Sequence, residues 1–117
     1  MKKDIHVLTI DDHAVVAEGY QTVFKNLDAP VTFVFAKAHD CRSGYELILS
    51  REPVPFDIAI VDYSMPPYPE MSLHNGIDMA LLLRQVMPNS KIIMMTMHKE
   101  ESIISSILKK INPEGFI

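Results

Sequence analysis

Four polar residues stand where apolar runs stop. Asp11 and Asp12 follow the apolar stretch 5–10, Asp62 follows Ile58-Ala59-Ile60-Val61, and Thr96 follows Ile92-Ile93-Met94-Met95. An unbroken apolar run reads as a strand buried on both faces. In open parallel sheets, ligands bind just outside the carboxyl ends of such strands. Three carboxylates and a hydroxyl on that rim make a ligand site. Asp and Thr also favour helix N-caps, which is the competing account of each residue taken singly. It is a poor account of the set, because Asp11 and Asp12 are adjacent and only one of them can cap.

The elements that must position these groups follow from periodicity. Strands are expected at 5–10, 31–36, 58–62, 91–95 and from 116, with helices at 13–27, 40–50, 77–87 and 99–111. The first helix carries Val15, Val16, Gly19, Tyr20, Val23, Phe24 and Leu27 on one stripe, and Asp12 is its candidate cap. The second buries Cys41, Tyr45 and Ile48. The third is apolar on most sides, which predicts deep burial. The fourth has the stripe Ile103, Ile104, Ile107, Leu108 and Ile111. Residues 63–75 read as a long loop with Pro66, Pro67 and Pro69, and loops of this length inside a small domain are usually functional or mobile. Strands alternating with helices imply an α/β fold with helices on both faces of a parallel sheet. Right-handed crossovers leave few topologies. The doubly wound, flavodoxin-like order 2-1-3-4-5 brings Asp11, Asp12, Asp62 and Thr96 to one switch point. That order is selected because it fits the polar residues; periodicity alone leaves it open.

Composition narrows the function classes. A chain of 117 residues suits one domain with one core. Its formal charge of −4 supplies no field that would attract nucleic acid. No apolar run is long enough for a membrane span, and residues 1–4 lead into a strand without a signal-peptide core, so a cytoplasmic location is expected. The single cysteine, Cys41, excludes an internal disulfide and fits a reducing compartment.

The motifs in sequence order are Asp11-Asp12-His13, Asp62-Tyr63-Ser64-Met65-Pro66, Asn75-Gly76-Ile77, Met95-Thr96-Met97-His98 and Gly115-Phe116-Ile117. With these, the whole chain resembles the receiver domain of two-component response regulators, of the kind that precedes a helix-turn-helix DNA-binding domain. The resemblance implies that Asp62 accepts a phosphoryl group from a sensor histidine kinase. It implies that Asp11, Asp12 and Asp62, with the backbone carbonyl of Ser64, hold Mg²⁺. Thr96 would donate its hydroxyl to a phosphoryl oxygen, and Thr96 with Phe116 would form the switch that controls an output domain regulating transcription. Such a domain is a signalling module rather than an enzyme, beyond self-phosphorylation and self-dephosphorylation.

Three departures from the family pattern stand out. The family carries a lysine shortly after the strand-five aromatic; none is present up to Ile117, and Lys109 and Lys110 belong to the preceding helix. No fifth helix follows, so residues 1–117 are expected to be a C-terminally truncated receiver domain without its output domain, which alone would touch DNA. The sheet face left open beside the first helix is then expected either to drive self-association through that helix and face, as a homodimer, or to leave the domain marginally stable. The loop 67–75 is also longer than the family's compact form. These departures support a competing reading: a degenerate receiver that binds a partner without phosphorylation. A Mg²⁺-dependent phosphatase of another fold would carry an Asp-x-Asp pair, which is absent after the third strand. His13, His74 and His98 lack paired ligand spacing and read as surface or supporting residues.

Overall fold

The structure, a computed structural model, describes residues 3–27, 30–50, 55–97 and 100–116. Strand β3 (Ile58–Asp62) lies at the middle of the sheet. Its aliphatic residues suit a strand with cover on both faces, and Ala59 to Asp62 are all buried. Parallel neighbours flank it: β1 (Lys3–Ile10) on one side and β4 (Lys91–Met95) on the other. β2 (Val31–Ala38) closes one edge and β5 (Gly115–Phe116) the other, giving the expected order β2-β1-β3-β4-β5.

Alternate residues divide the sheet into two faces. Leu8, Ile10, Ala59, Val61, Ile92 and Met94 enter the main core. They pack there with Cys41 and Ile48 of α2 (Cys41–Ser50), Met79, Ala80 and Leu83 of α3 (Gly76–Val86), and Ile107 of α4 (Glu101–Lys110). Each fully buried Leu, Ile or Met contributes about 1.5–3 kcal/mol by leaving water. On the opposite face, α1 (Ala14–Lys25) sets Phe24 against Phe33 and Phe35 of β2, with ring centroids 4.9 and 5.8 Å away.

Several helix expectations need correction. His13, not Asp12, holds the N-cap position of α1, and no side chain caps it. Val23 is 61% exposed and Leu27 51%, and Gly19 faces solvent, so the inward stripe is narrower than the periodicity predicts. Leu27 lies beyond the end of α1 at Lys25. The side chains of Val15 and Tyr20 fall outside the described residues. In α4, Ile107 is buried but Leu108 is exposed, and Ile111, just past the helix end, is buried. Helix α3 is not buried all round, since Leu81 and Val86 reach solvent. The segment 63–75 is more ordered than an open loop: it holds a 3₁₀ turn at Pro69–Met71 and an antiparallel bridge between Tyr68 and Leu73.

Candidate functional site at the carboxyl ends of the strands

Pairing register sets the site. Ile10 pairs with Val61, so Asp11 emerges level with Asp62 on the neighbouring strand. Asp62 pairs with Met95, which places Thr96 one residue further along the same rim. Asp11 is anchored by its own N–H, which donates to the Ala38 carbonyl at the end of β2 (3.0 Å). The Asp62 backbone is held by the ladder, and the next N–H, of Tyr63, donates to the Met95 carbonyl (2.8 Å).

Asp11 and Asp62 are only 5% and 4% exposed, while Asp12 faces solvent. Together with His13, each offers one ligand atom, and these atoms lie within 4.8 Å of one another. Asp11 Oδ1 accepts the His13 N–H (2.8 Å) and lies 3.1 Å from His13 Nδ1. Asp11 Oδ2 is buried and has no hydrogen-bond partner among the described residues. Leaving a buried polar atom unpaired costs about 1–3 kcal/mol, so an orphan of this kind marks a place for a bound group. Asp62 Oδ1 faces the Ser64 N–H at 3.4 Å, a long contact. Burial raises the Asp62 pKa above its ordinary value, and the negative charges of Asp11 and Asp12 push the same way; the Ser64 N–H and His13 oppose them. His13 is raised in turn, first by its hydrogen bond to Asp11 and then by the Asp12 charge. Clustered oxygen donors with one orphaned oxygen fit a hard divalent cation.

The wall behind Asp62 is built closely. Asn75 caps α3, its Oδ1 accepting from the N–H groups of Ile77 (2.9 Å) and Asp78 (3.2 Å). Gly76 N–H donates to the Tyr63 carbonyl (2.8 Å). A Cβ on Gly76 would land on the Asp62 carbonyl oxygen and lie 2.8 Å from Tyr63 Cα. Only glycine lets the start of α3 come this near the end of β3. On the other side, Tyr68 meets Tyr45 of α2 edge-on (5.8 Å) and lies under the Arg42 guanidinium (5.7 Å). The Cys41 N–H donates to the Pro66 carbonyl (3.0 Å). Burial pushes the Cys41 thiol up to about 11, which leaves it a poor nucleophile.

Thus Asp11, Asp12 and Asp62 converge, and Thr96 stands on the same rim. Thr96 does not cap α4, whose N-cap position is Glu100. Ser64 is exposed beside Asp62. Phe116 pairs with Met94, two residues short of Thr96, on an edge strand where it is 36% exposed. His98 lies outside the described residues. Two features escaped the sequence reading. His13 is at the surface as expected, yet its ring touches both neighbouring acids; its adjacency to Asp11-Asp12 was the available signal. Gly76 was read only as part of a motif, and its contact with β3 is tertiary.

The family description "Response regulator receiver domain" matches residues 7–117. The chain belongs to this family. The receiver domain is 30% identical over 111 residues to the oxygen regulatory protein NreC of Staphylococcus epidermidis, covering 95% of this chain and 46% of NreC. It is 28% identical over 105 residues to the transcriptional regulatory protein DegU of Brevibacillus brevis, covering 90% of this chain and 40% of DegU. The chain therefore spans less than half the length of these curated relatives. Among solved structures it is similar to the RcsB response regulator of Salmonella typhimurium, with a TM-score of 0.77, 25% identity, and coverage of 100% of this chain and 54% of that one. The isolated REC domain of RcsB, studied with the phosphomimetic BeF₃⁻, shares the fold: TM-score 0.77, 24% identity, 98% of this chain and 77% of that one. The receiver domain is a signalling module of two-component response regulators. No helix among the described residues is long and apolar enough to cross a membrane.

Proposed function

We propose that Asp62 is the phosphoacceptor and that Asp11, Asp12, Asp62 and the Ser64 backbone carbonyl hold Mg²⁺. The observation that carries this reading is the convergence of three acids, one of which, Asp11, keeps a buried Oδ2 without a hydrogen-bond partner among the described residues. A bound Mg²⁺ would offset the repulsion between these carboxylates and an incoming phosphoryl group. An Asp62 carboxylate oxygen attacks phosphorus, its bond to the donor's leaving group breaks, and an aspartyl phosphate forms. Burial at Asp62 limits water around that reactive product. Thr96, on the next strand, donates its hydroxyl to a phosphoryl oxygen, and Phe116 on the edge strand has room to move when the loop after β4 shifts.

In this reading the phosphoryl donor is a sensor histidine kinase, and residues 1–117 are the receiver unit of a longer regulator. The length of NreC and DegU relative to this chain supports an output domain outside it. DNA is reached through that domain; RcsB is a response regulator described in terms of DNA interaction. The test is incubation with acetyl phosphate and Mg²⁺, followed by intact-mass measurement. Wild type should gain one phosphoryl group and Asp62→Asn none. Equal modification of the two proteins would reject Asp62 as acceptor. Partner binding that is unaffected by phosphorylation would favour the degenerate receiver instead.

A further inference from the structure

We propose that the outer edge of β2 pairs with β2 of a second copy of this chain, antiparallel about a two-fold axis at Val34. This edge is separate from the acid site, and the proposal does not rest on the phosphoacceptor reading.

β2 pairs with β1 alone, so one of its long sides is an edge of the sheet. One hydrogen bond shows which backbone groups face outward. The Ala38 carbonyl accepts from the Asp11 N–H, just past the end of β1, so Ala38 directs its groups toward β1. Successive residues of a strand direct theirs to opposite sides, so Val31, Phe33, Phe35 and Lys37 face outward. Among the described residues, no loop, cap or turn bond uses the backbone of residues 31–37. Edge strands are normally guarded by charge, proline or a bulge. This one runs eight residues, from Val31 to Ala38, with no proline and Lys37 as its single charge. Its register against β1 is unbroken from Lys3↔Val31 to Ile10↔Ala38, so no bulge interrupts it. Val34, at its middle, is 38% exposed.

The sequence of the edge selects a second copy as the occupant. Phe33-Val34-Phe35 reads the same in both directions. A two-fold axis at Val34 therefore sets Phe33 beside the partner subunit's Phe35, and Phe35 beside the partner subunit's Phe33. Both positions carry outward backbone groups, so each such pair exchanges two N–H···O=C bonds. The rings stand on the face where Phe24 already meets Phe33 and Phe35, and the aromatic cluster continues across the axis. On the opposite face Val34 meets the partner subunit's Val34 as a non-hydrogen-bonded pair, with Cα atoms about 4.5 Å apart. Thr32 falls opposite Ala36, and Lys37 opposite Val31. No like charge faces another, and the patch is self-complementary, as a two-fold interface requires.

The test uses the 117-residue chain in sedimentation velocity over a range of concentrations, with disulfide trapping of two cysteine variants. The native Cys41 is fully buried, and its thiol is pushed up to about 11, so it stays out of mild oxidation. Val34→Cys should form an intermolecular disulfide, because about 4.5 Å lies within the Cα range of that bond. Thr32→Cys should not, because the axis sets the two copies of that residue roughly 14 Å apart. Wild type should sediment as a concentration-dependent mixture of monomer and dimer. Val34→Lys, which sets two lysines face to face, should raise the dimer dissociation constant at least about tenfold and keep the wild-type circular dichroism. A wild type that stays monomeric throughout would overturn the proposal. So would equal trapping of the two cysteine variants, or a dimer that Val34→Lys leaves intact, which would assign association to another surface such as the open sheet face.

Discussion

At Asp62 the carboxylate is both desolvated and faced by two more acids, and each effect disfavours its anion. Selection for stability alone would not keep three acids here. Asp62→Asn should therefore stabilise the protein at neutral pH without divalent ions, by about 0.5–2 kcal/mol, the usual yield of relieving clustered charge. Urea unfolding of both proteins in EDTA checks this. Added Mg²⁺ should stabilise the wild type more than the variant and close the gap. A variant less stable than wild type in EDTA would show that Asp62 is held by favourable contacts. The polar residues at the strand ends were legible in sequence because each follows an abrupt end of an apolar run. The role of Asp12 at the helix start was not. Neighbouring polar residues compete for the N-cap position, and the bond from His13 N–H to Asp11 Oδ1 helps place His13 there.

Helices reach the sheet through two buried glycines that differ in what they touch. A Cβ at Gly76 meets backbone, which has no way to yield. At Gly44 of α2 it meets Met79 Cε at 2.7 Å and Ile10 Cδ1 at 3.3 Å, both ends of flexible side chains. Alanine also favours a helix interior over glycine by about 1 kcal/mol. Gly44→Ala should change stability by less than about 1 kcal/mol, because the helix gain offsets repacking. Gly76→Ala should lose roughly 2 kcal/mol or more through overpacking against β3. It should also slow acetyl-phosphate labelling, since α3 is braced on the Asp62 backbone. Denaturant midpoints and labelling rates for the two variants provide the check. Element types and their succession along the chain were legible from unbroken apolar runs and the 3.6-residue helix period, whereas the strand order in the sheet was selected to fit the polar residues. The misjudged margins, Val23, Leu27 and Leu108, are apolar residues beside or beyond a true inner stripe. Periodicity gives the direction of a face and not how far neighbours cover it. The 63–75 segment was misjudged for a related reason: its order comes from Tyr68 on Tyr45 and Arg42, a contact between segments more than twenty residues apart.

Across the whole molecule, Arg84 ties the far end of the sheet together. It pairs with both Glu114 oxygens (2.8 and 3.0 Å) and donates to the carbonyls of Ser90, Ile111 and Asn112. The strap joins α3 to the turn that leads into β5. The hydrogen bond from Arg84 holds the Glu114 pKa below the ordinary glutamate value. A depressed carboxylate adds stability above the unfolded-state value of about 4.3 and loses it as pH falls through the folded-state value. Glu114 is a third exposed, so solvent screening keeps the pair to under about 1 kcal/mol. Glu114→Gln should be less stable than wild type at pH 7 by up to that amount, and the two should converge in acid. Guanidinium unfolding at pH 7 and pH 3 measures it; a gap that persists at pH 3 would assign the effect to packing. Nothing in the sequence pointed to this pair, because its partners are thirty residues apart and carry no motif.

The acids and His13 all come from β1, β3 and the residues just after them, whereas Thr96 directly follows β4 and Phe116 lies on β5. Under the proposed reading, capture of charge and its reporting fall to different strands, so substitutions in and after β4 and in β5 would retune the response while the acids that receive the phosphoryl group stay untouched.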